Sequence, residues 1–476
     1  MLQDKYSEQA RSTLPGLPLR EEFVVREGHV LTMDAAIGNL PCADVHVRNG
    51  EIVAVGAKLQ APGALELSGN DMIVMPGFVD THWHLWNSSL RALVRGDDAQ
   101  NGYFPVTLRL GPLFTPEDSY RSLRLGLTEG LASGITTVHN WSHNTRTPAH
   151  ADAELRALSN MGVRARFSYG WGQDRELDQG MDLEDLARVQ RELASDNNLL
   201  TLGAAVRTPV ANPRGAVPIE VVAAEYKGIR ALGLPITMHA RPGVVTLLSQ
   251  HGLLGPDVQL VHPQGISEEE LKLLAATGTT MSCSPVIELL YAQATRGEIQ
   301  FQELLEEGVQ MSLSVDSSAA SANADFFNCM RALLWSHKQR FGSRIPLAAQ
   351  RLLELATIDG ARDLGIADRT GSLTPGKRAD ILMVRAKDPN IGPVIDPAFA
   401  LVYSAQPSNI DTVIVDGRIL LRNSRFTAVD SEEVMREAAE SVNGLVSRSM
   451  AGSKASHDFP NPASASRRAT TEESIQ

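Results

Sequence analysis

Residues 76–88 read PGFVDTHWHLWNS: a proline-glycine turn, a short apolar run, and two histidines on either side of a tryptophan. Along a β-strand, side chains at i and i+2 share a face, so His82 and His84 point together to one side and Trp83 to the other. Two imidazoles side by side offer two nitrogen lone pairs, half of a site for a divalent metal. The other half has to come from elsewhere in the chain.

Downstream of this segment the sequence alternates between short strand-like runs and helical stretches. After a first run at 72–81 come GITTVHN, VRARFSYGW, LLTLGAAV, LPITMHA, VQLVHP, TTMSCSPV and VQMSLSV, with helical segments such as DSYRSLRLGLTEGLASG and SEEELKLLAATG between them. Eight β-then-α steps are the count for a closed (β/α)8 barrel of the TIM type, in which functional groups come from the C-terminal ends of the strands. His239 ends the fifth run, His262 the sixth and Asp316 the eighth. Together with His82 and His84 they supply three or four imidazoles and a carboxylate at one end of the barrel.

The flanks differ in texture. Residues 23–75 read as short strands with an RNGE turn between two alternating runs, and 367–430 return to strands punctuated by Pro375-Gly376 and Asp416-Gly417. The expected organisation is α/β: a (β/α)8 barrel over 76–366, a small β-sandwich domain composed of 23–75 and 367–430, an extension at 1–22, a helix at 431–450, and a disordered tail at 451–476 whose Ser, Ala, Thr and Pro content buries too little surface to order it.

A formal charge of −12 with no basic run argues against a nucleic-acid partner. Three scattered cysteines, Cys42, Cys283 and Cys329, make neither a disulfide framework nor a thiolate zinc site. The N-terminus lacks the apolar stretch of a secretory signal, and no window approaches the ~18 apolar residues of a membrane span, so a cytoplasmic address with no membrane contact is expected.

PGFVDTHWH, ITMHA, LVHP, LSVDSS and GSLTPGKRADILMV resemble the amidohydrolase superfamily, in the group containing cytosine deaminase, adenosylhomocysteine deaminase and atrazine chlorohydrolase. The resemblance spans about residues 23–430. It implies that His82, His84, His239 and Asp316 hold one divalent ion, with zinc expected first and iron, manganese, cobalt or nickel also compatible. It also implies that His262 sits beside the reacting water. The fourth run carries no lysine to bridge a second ion. Neutral imidazole ligands leave the ion strongly Lewis-acidic, able to bring the pKa of water toward ~7, with Asp316 as the acceptor of its proton. The relatives of this group also make a homo-oligomer possible.

Other residues at the expected mouth are candidates for the substrate surface: Trp86 after the first strand, Trp141 and His143 after the second (together with His139 and Asn144), Trp171 after the third, Arg207 after the fourth, and Glu288 after the seventh. Cys283 has no identifiable histidine partner and reads as a small buried hydrophobe. One position departs from the deaminase pattern. Where many of those enzymes carry a glutamate three residues after the fifth-strand histidine, this chain has Pro242, and Arg241 beside it cannot act as an acid. The expectation is hydrolysis of a C–N bond in a small cyclic or aromatic nitrogen compound, as deamination or amide-type cleavage. The alternatives are removal of chloride or thiolate by the same chemistry, or an inactive scaffold of the same fold.

Overall fold

The computed structural model describes residues 16–96, 98, 100–193, 199–210, 215–291 and 297–453. The expected extension at 1–22 and the disordered tail at 451–476 therefore lie outside the described residues over 1–15 and 454–476. Two sheets organise the chain. The first mixes parallel and antiparallel pairing and is built from both flanks: β1 (Phe23–Leu31), β2 (Asn39–Arg48), β3 (Glu51–Gly56), β4 (Leu65–Ser68) and β5 (Met72–Pro76) from one, and, from the other, the strands Ile381–Arg385, Ile410–Val415, Arg418–Arg422 and Arg425–Phe426. The two flanks meet where Ile381–Arg385 runs antiparallel to β5. The inward faces of these strands (Phe23, Val25, Val45, Ile52, Val74, Ile381, Ile414) make a separate apolar core.

The second sheet is all parallel: β6 (Phe78–Trp83), β7 (Ile135–Thr145), β8 (Arg164–Trp171), β9 (Leu200–Ala205), β10 (Ile236–His239), β11 (Val258–Val261), β12 (Thr280–Cys283) and β13 (Met311–Leu313), each paired with the next in chain order. β7 is buried along its whole length, as expected of strands covered on both sides. A bridge between Trp83 and Asp316 joins the two ends of this sheet, the His84 N–H donating to the Asp316 carbonyl at 2.7 Å and the Asp316 N–H to that of His82 at 2.8 Å. The barrel thus closes through the histidine pair and the distant aspartate.

The single strand expected over 72–81 is two strands in different sheets. They separate at Gly77, where a Cβ would lie 2.0 Å from the Thr136 hydroxyl, so only glycine lets the chain cross this close to β7. Helices coat the barrel and start as the sequence suggests. Thr115 caps Pro116–Ala132 in a capping box with Asp118, and Ser267 caps Glu268–Thr277 with Glu270. A final helix, Ser431–Ser453, packs Val434 and Ala438 against Leu125 of the first of these. Barrel and mixed sheet are joined by a buried ion pair, Arg164 of β8 to Asp380 at 2.7 and 3.2 Å, with Asp380 also accepting from the Asp416 N–H at 2.7 Å. No helix among the described residues is long and apolar enough to cross a membrane.

Candidate metal centre

His82, His84, His239, His262 and Asp316 converge at the C-terminal end of the barrel. The donor atoms of His82, His84 and His239 lie within 4.8 Å of one another, as do those of His82, His262 and Asp316. His82 Nε2 is 3.3 Å from His239 Nε2 and 3.5 Å from Asp316 Oδ1, and His84 Nε2 is 3.3 Å from the same oxygen. Donors at ~2.1 Å around a tetrahedral ion stand about 3.4 Å apart, and these three separations match that spacing. The other carboxylate oxygen, Oδ2, lies 3.6 Å from His262 Nε2.

The backbone is bent to achieve this. His262 and Asp316 have φ of 75° and 67°, in the left-handed region that non-glycine residues seldom occupy. His262 is the first residue past β11 and Asp316 the third past β13, and such conformations persist where the surrounding structure holds them, most often at functional sites. Trp83, as the alternation requires, faces away and is fully buried against the helix at Gly130.

Burial lowers the pKa of His82 and His84, favouring the neutral form that a ligand needs; for His84, neighbouring His143 and His82 add to the effect. The Nδ1 of His84 is 3.3 Å from the Trp141 carbonyl, which fixes its proton there and leaves Nε2 as a lone pair toward the cluster. His262 is oriented from behind. Its Nδ1 lies 3.3 Å from Glu288 Oε1, which also accepts the Ser284 N–H at 2.8 Å, while Oε2 accepts from Cys283 Sγ at 2.9 Å. Glu288, expected on the substrate surface, is buried behind His262 and orients it instead.

The remaining candidates divide. The Trp141 ring lies 3.7 Å, centroid to centroid, from that of His239, and its indole N–H has no partner among the described residues. His143 packs its ring 4.2 Å from that of His84. Its Nδ1 is 3.3 Å from the Trp86 indole nitrogen, a group that only donates, and 3.4 Å from the Trp141 carbonyl, which the His84 N–H already reaches. The arrangement that satisfies Trp86 makes Nδ1 of His143 an acceptor and places its proton on Nε2, which has no partner among the described residues. Trp86 accordingly lies behind His143 and sets its tautomer. Trp171 is only partly buried, under the Arg175 guanidinium at 4.8 Å. Arg207 donates to the carbonyls of Glu176 and Gln179, so it holds a loop and does not stand at the cluster. His139, expected at the mouth, lies one layer deeper, with Nδ1 2.9 Å from the Thr81 carbonyl and Nε2 2.6 Å from Ser168 Oγ. Pro242, at the position of the missing glutamate, is exposed.

Sequence reasoning passed over what lies underneath. The Thr81 hydroxyl contacts those of Ser282 and Ser312 at 2.8 and 2.7 Å, and Ser282 passes the chain on to Ser314 and then Ser284. The signal was present as serines at i and i+2, Ser282/Ser284 and Ser312/Ser314, marking polar inward faces where a barrel core is usually aliphatic. On the other side, Asn87 links Tyr103 and Ser317, the neighbour of Asp316, at 3.0 Å each.

Residues 73–420 match the model of the amidohydrolase family. The chain is 28% identical over 446 residues to 5'-deoxyadenosine deaminase of Methanosarcina mazei, covering 90% of this chain and 99% of that protein. It is also 28% identical over 445 residues to a 5-methylthioadenosine/S-adenosylhomocysteine deaminase of Desulforudis audaxviator, covering 89% and 99%. The fold is shared with a zinc-bound adenosine deaminase from Xanthomonas campestris, with a TM-score of 0.75 and 22% identity over 90% of this chain and 99% of that one. It is shared too with zinc-bound atrazine chlorohydrolase from Arthrobacter aurescens, with a TM-score of 0.75 and 21% identity over 89% and 100%. With a family match that spans most of its length and begins in the strand just before the histidine pair, the chain belongs to the amidohydrolase family.

Proposed function

We propose that this protein is a metal-dependent hydrolase that deaminates, or cleaves an amide-type C–N bond in, a small nitrogen heterocycle, with adenosine-type nucleosides as the first substrates to try. The observation that carries this reading is the spacing of His82, His84, His239 and Asp316 around one point, with His262 Nε2 facing the oxygen of Asp316 turned away from the other three. Zinc is the ion we assign, on the nitrogen-rich donor set. When bound, such an ion supplies Lewis acidity that makes water nucleophilic near neutral pH.

The chain's own residues do the rest. Asp316 accepts the proton of the attacking water through Oδ2 and passes it to the leaving nitrogen, and His262, held by Glu288, hydrogen-bonds the same water. Trp141 and His143 present two N–H groups that have no partner among the described residues beside the cluster and position the heterocycle through its acceptors, with Trp86 as support. Trp171 lies further out. This mechanism belongs to the barrel at 76–366, with the composite domain of 23–75 and 367–430 as its brace. A homo-oligomer is the expectation from family resemblance, and a cytoplasmic address the expectation from the lack of a signal-like apolar stretch near the N-terminus.

A second reading has one observation in its favour: Pro242 stands where many deaminases of the group carry the glutamate that protonates a ring nitrogen before attack. Displacement of chloride or thiolate, or cleavage of an already polarised C–N bond, needs no such proton. The test is to incubate zinc-loaded protein with 5'-deoxyadenosine and 5-methylthioadenosine, with lactams and N-acyl compounds, and with chlorotriazines, following ammonia, amine and chloride release. Ammonia from the nucleosides, absent in His239→Ala, supports deamination. Chloride release alone favours the second reading, and inertness toward every class with one ion bound per chain refutes both.

A further inference from the structure

At the end of the barrel opposite the five-residue cluster lies a cavity of about 120 Å³, open on one side. It is framed by the beginnings of strands, Ile236 of β10, Val258 of β11 and Thr280 of β12, and floored by Arg362–Gly365, just past the barrel. Ile236 and His239 are the first and last residues of β10, so the cavity lies about 10 Å below the cluster. Its lining is mixed: Arg166, Ser168, Gln259 and Asp363 stand among Ile236, Val258 and Leu364, where such barrels usually have an aliphatic floor.

Most charged groups at its edge are already satisfied. Asp257 pairs with Arg230 at 2.7 Å and Arg362 with Asp359 at 2.5 Å. Asp363 accepts from Gln259 at 2.7 Å, and from Ser312 and Thr280 at 2.5 Å each. Arg166 differs. One of its amino groups donates to the Leu364 carbonyl, its Nε is shut off from solvent with no acceptor, and among the described residues no carboxylate lies within ion-pair distance. Space is kept for this side chain by Gly203, whose Cβ, were there one, would lie 3.2 Å from Arg166 Cδ and 2.7 Å from Ser168 Oγ. Burial pulls the guanidinium down to about 10, still charged at neutral pH, with Asp363 acting weakly in the opposite direction.

We propose that this cavity is a second binding site, for a small oxyanion bearing a carboxylate or phosphate group, held by the fork of Arg166 with Arg362 at the rim. A guanidinium with N–H groups to spare in a half-open cavity matches two oxygens of such an anion, and the pairing is stronger there than in bulk water. The site is separate from the metal centre and does not depend on which reaction that centre performs.

The test uses full-length, zinc-loaded protein at constant ionic strength, titrated calorimetrically with inorganic phosphate and, separately, acetate; the stronger response tells the two oxyanion classes apart. Arg166→Gln should weaken binding at least tenfold with metal content unchanged, and Arg362→Gln, at an exposed position, two- to threefold. Phosphate can also reach the metal, so binding that survives Arg166→Gln at full strength overturns the assignment, as does the absence of binding to the unaltered protein. Should Arg166→Gln fail to fold, selenate soaked into crystals of the unaltered protein decides: an anomalous peak beside the Arg166 guanidinium supports the site, and peaks only elsewhere refute it.

Discussion

Glu154, on the helix Pro148–Met161, is fully buried and takes a hydrogen bond from the Asn140 amide at 2.8 Å, while its other oxygen has no partner among the described residues. Burial pushes its carboxyl from 4.5 up to about 7, against the smaller downward pull of Asn140 and Ser142. A carboxyl raised in this way binds its proton more tightly folded than unfolded. The stability it lends is fully present below the unfolded value near 4.5 and is lost as pH rises through about 7. The difference of about 2.5 units corresponds to roughly 3 kcal/mol between the two plateaus. Glu154→Gln keeps an acceptor for Asn140 and cannot ionise, so it removes this loss. In thermal unfolding from pH 4.5 to 8.5, the variant should gain on the unaltered protein by a few degrees, with the gain developing between pH 5 and 7. A difference in Tm that is the same at every pH would show that Glu154 does not titrate in the folded protein and refute the reasoning.

Three further outcomes are expected. Dialysis against a chelator should remove one divalent ion per chain and lower Tm, zinc should restore it, and His239→Ala should bind substoichiometric metal in elemental analysis. Glu288→Gln should cost 10- to 100-fold in kcat/KM with metal content retained, because it loosens His262 and leaves the four donors in place; loss of the ion instead would assign Glu288 a different role. Asp380→Asn removes the nearer carboxylate partner of buried Arg164, leaving Asp416 at 3.7 Å, and should cost about 3 kcal/mol in urea unfolding, the low end of the penalty for breaking a buried ion pair.

The barrel and the five polar groups at its mouth were legible because each signal is local: strand-length apolar runs in order, each with its polar residue at the C-terminal end. The pairing of the two flanks into one sheet was legible from their shared texture. The crossing at Gly77 was not, because an unbroken apolar run does not reveal that its halves enter different sheets; that depends on how closely Thr136 of β7 approaches. Arg207 and Glu288 were read as substrate contacts, whereas Arg207 donates to the carbonyls of Glu176 and Gln179 and Glu288 lies behind His262. What a charged side chain reaches is decided by loop carbonyls and by the direction of the neighbouring imidazole, neither of which has a sequence period. His139 was misplaced in depth for a simpler reason: β7 runs on for six residues beyond it, so it sits well below the rim.

The contact between Trp83 and Asp316 makes the first and last staves of the barrel neighbours across some 230 residues of chain. The donor set at the mouth cannot be complete until that long loop has closed, so the capacity to hold an ion should arise late in folding, as a marker of the finished ring. An ion gripped from both staves would then act as a clasp, making the seam of the cylinder harder to part than any other pair of adjacent staves.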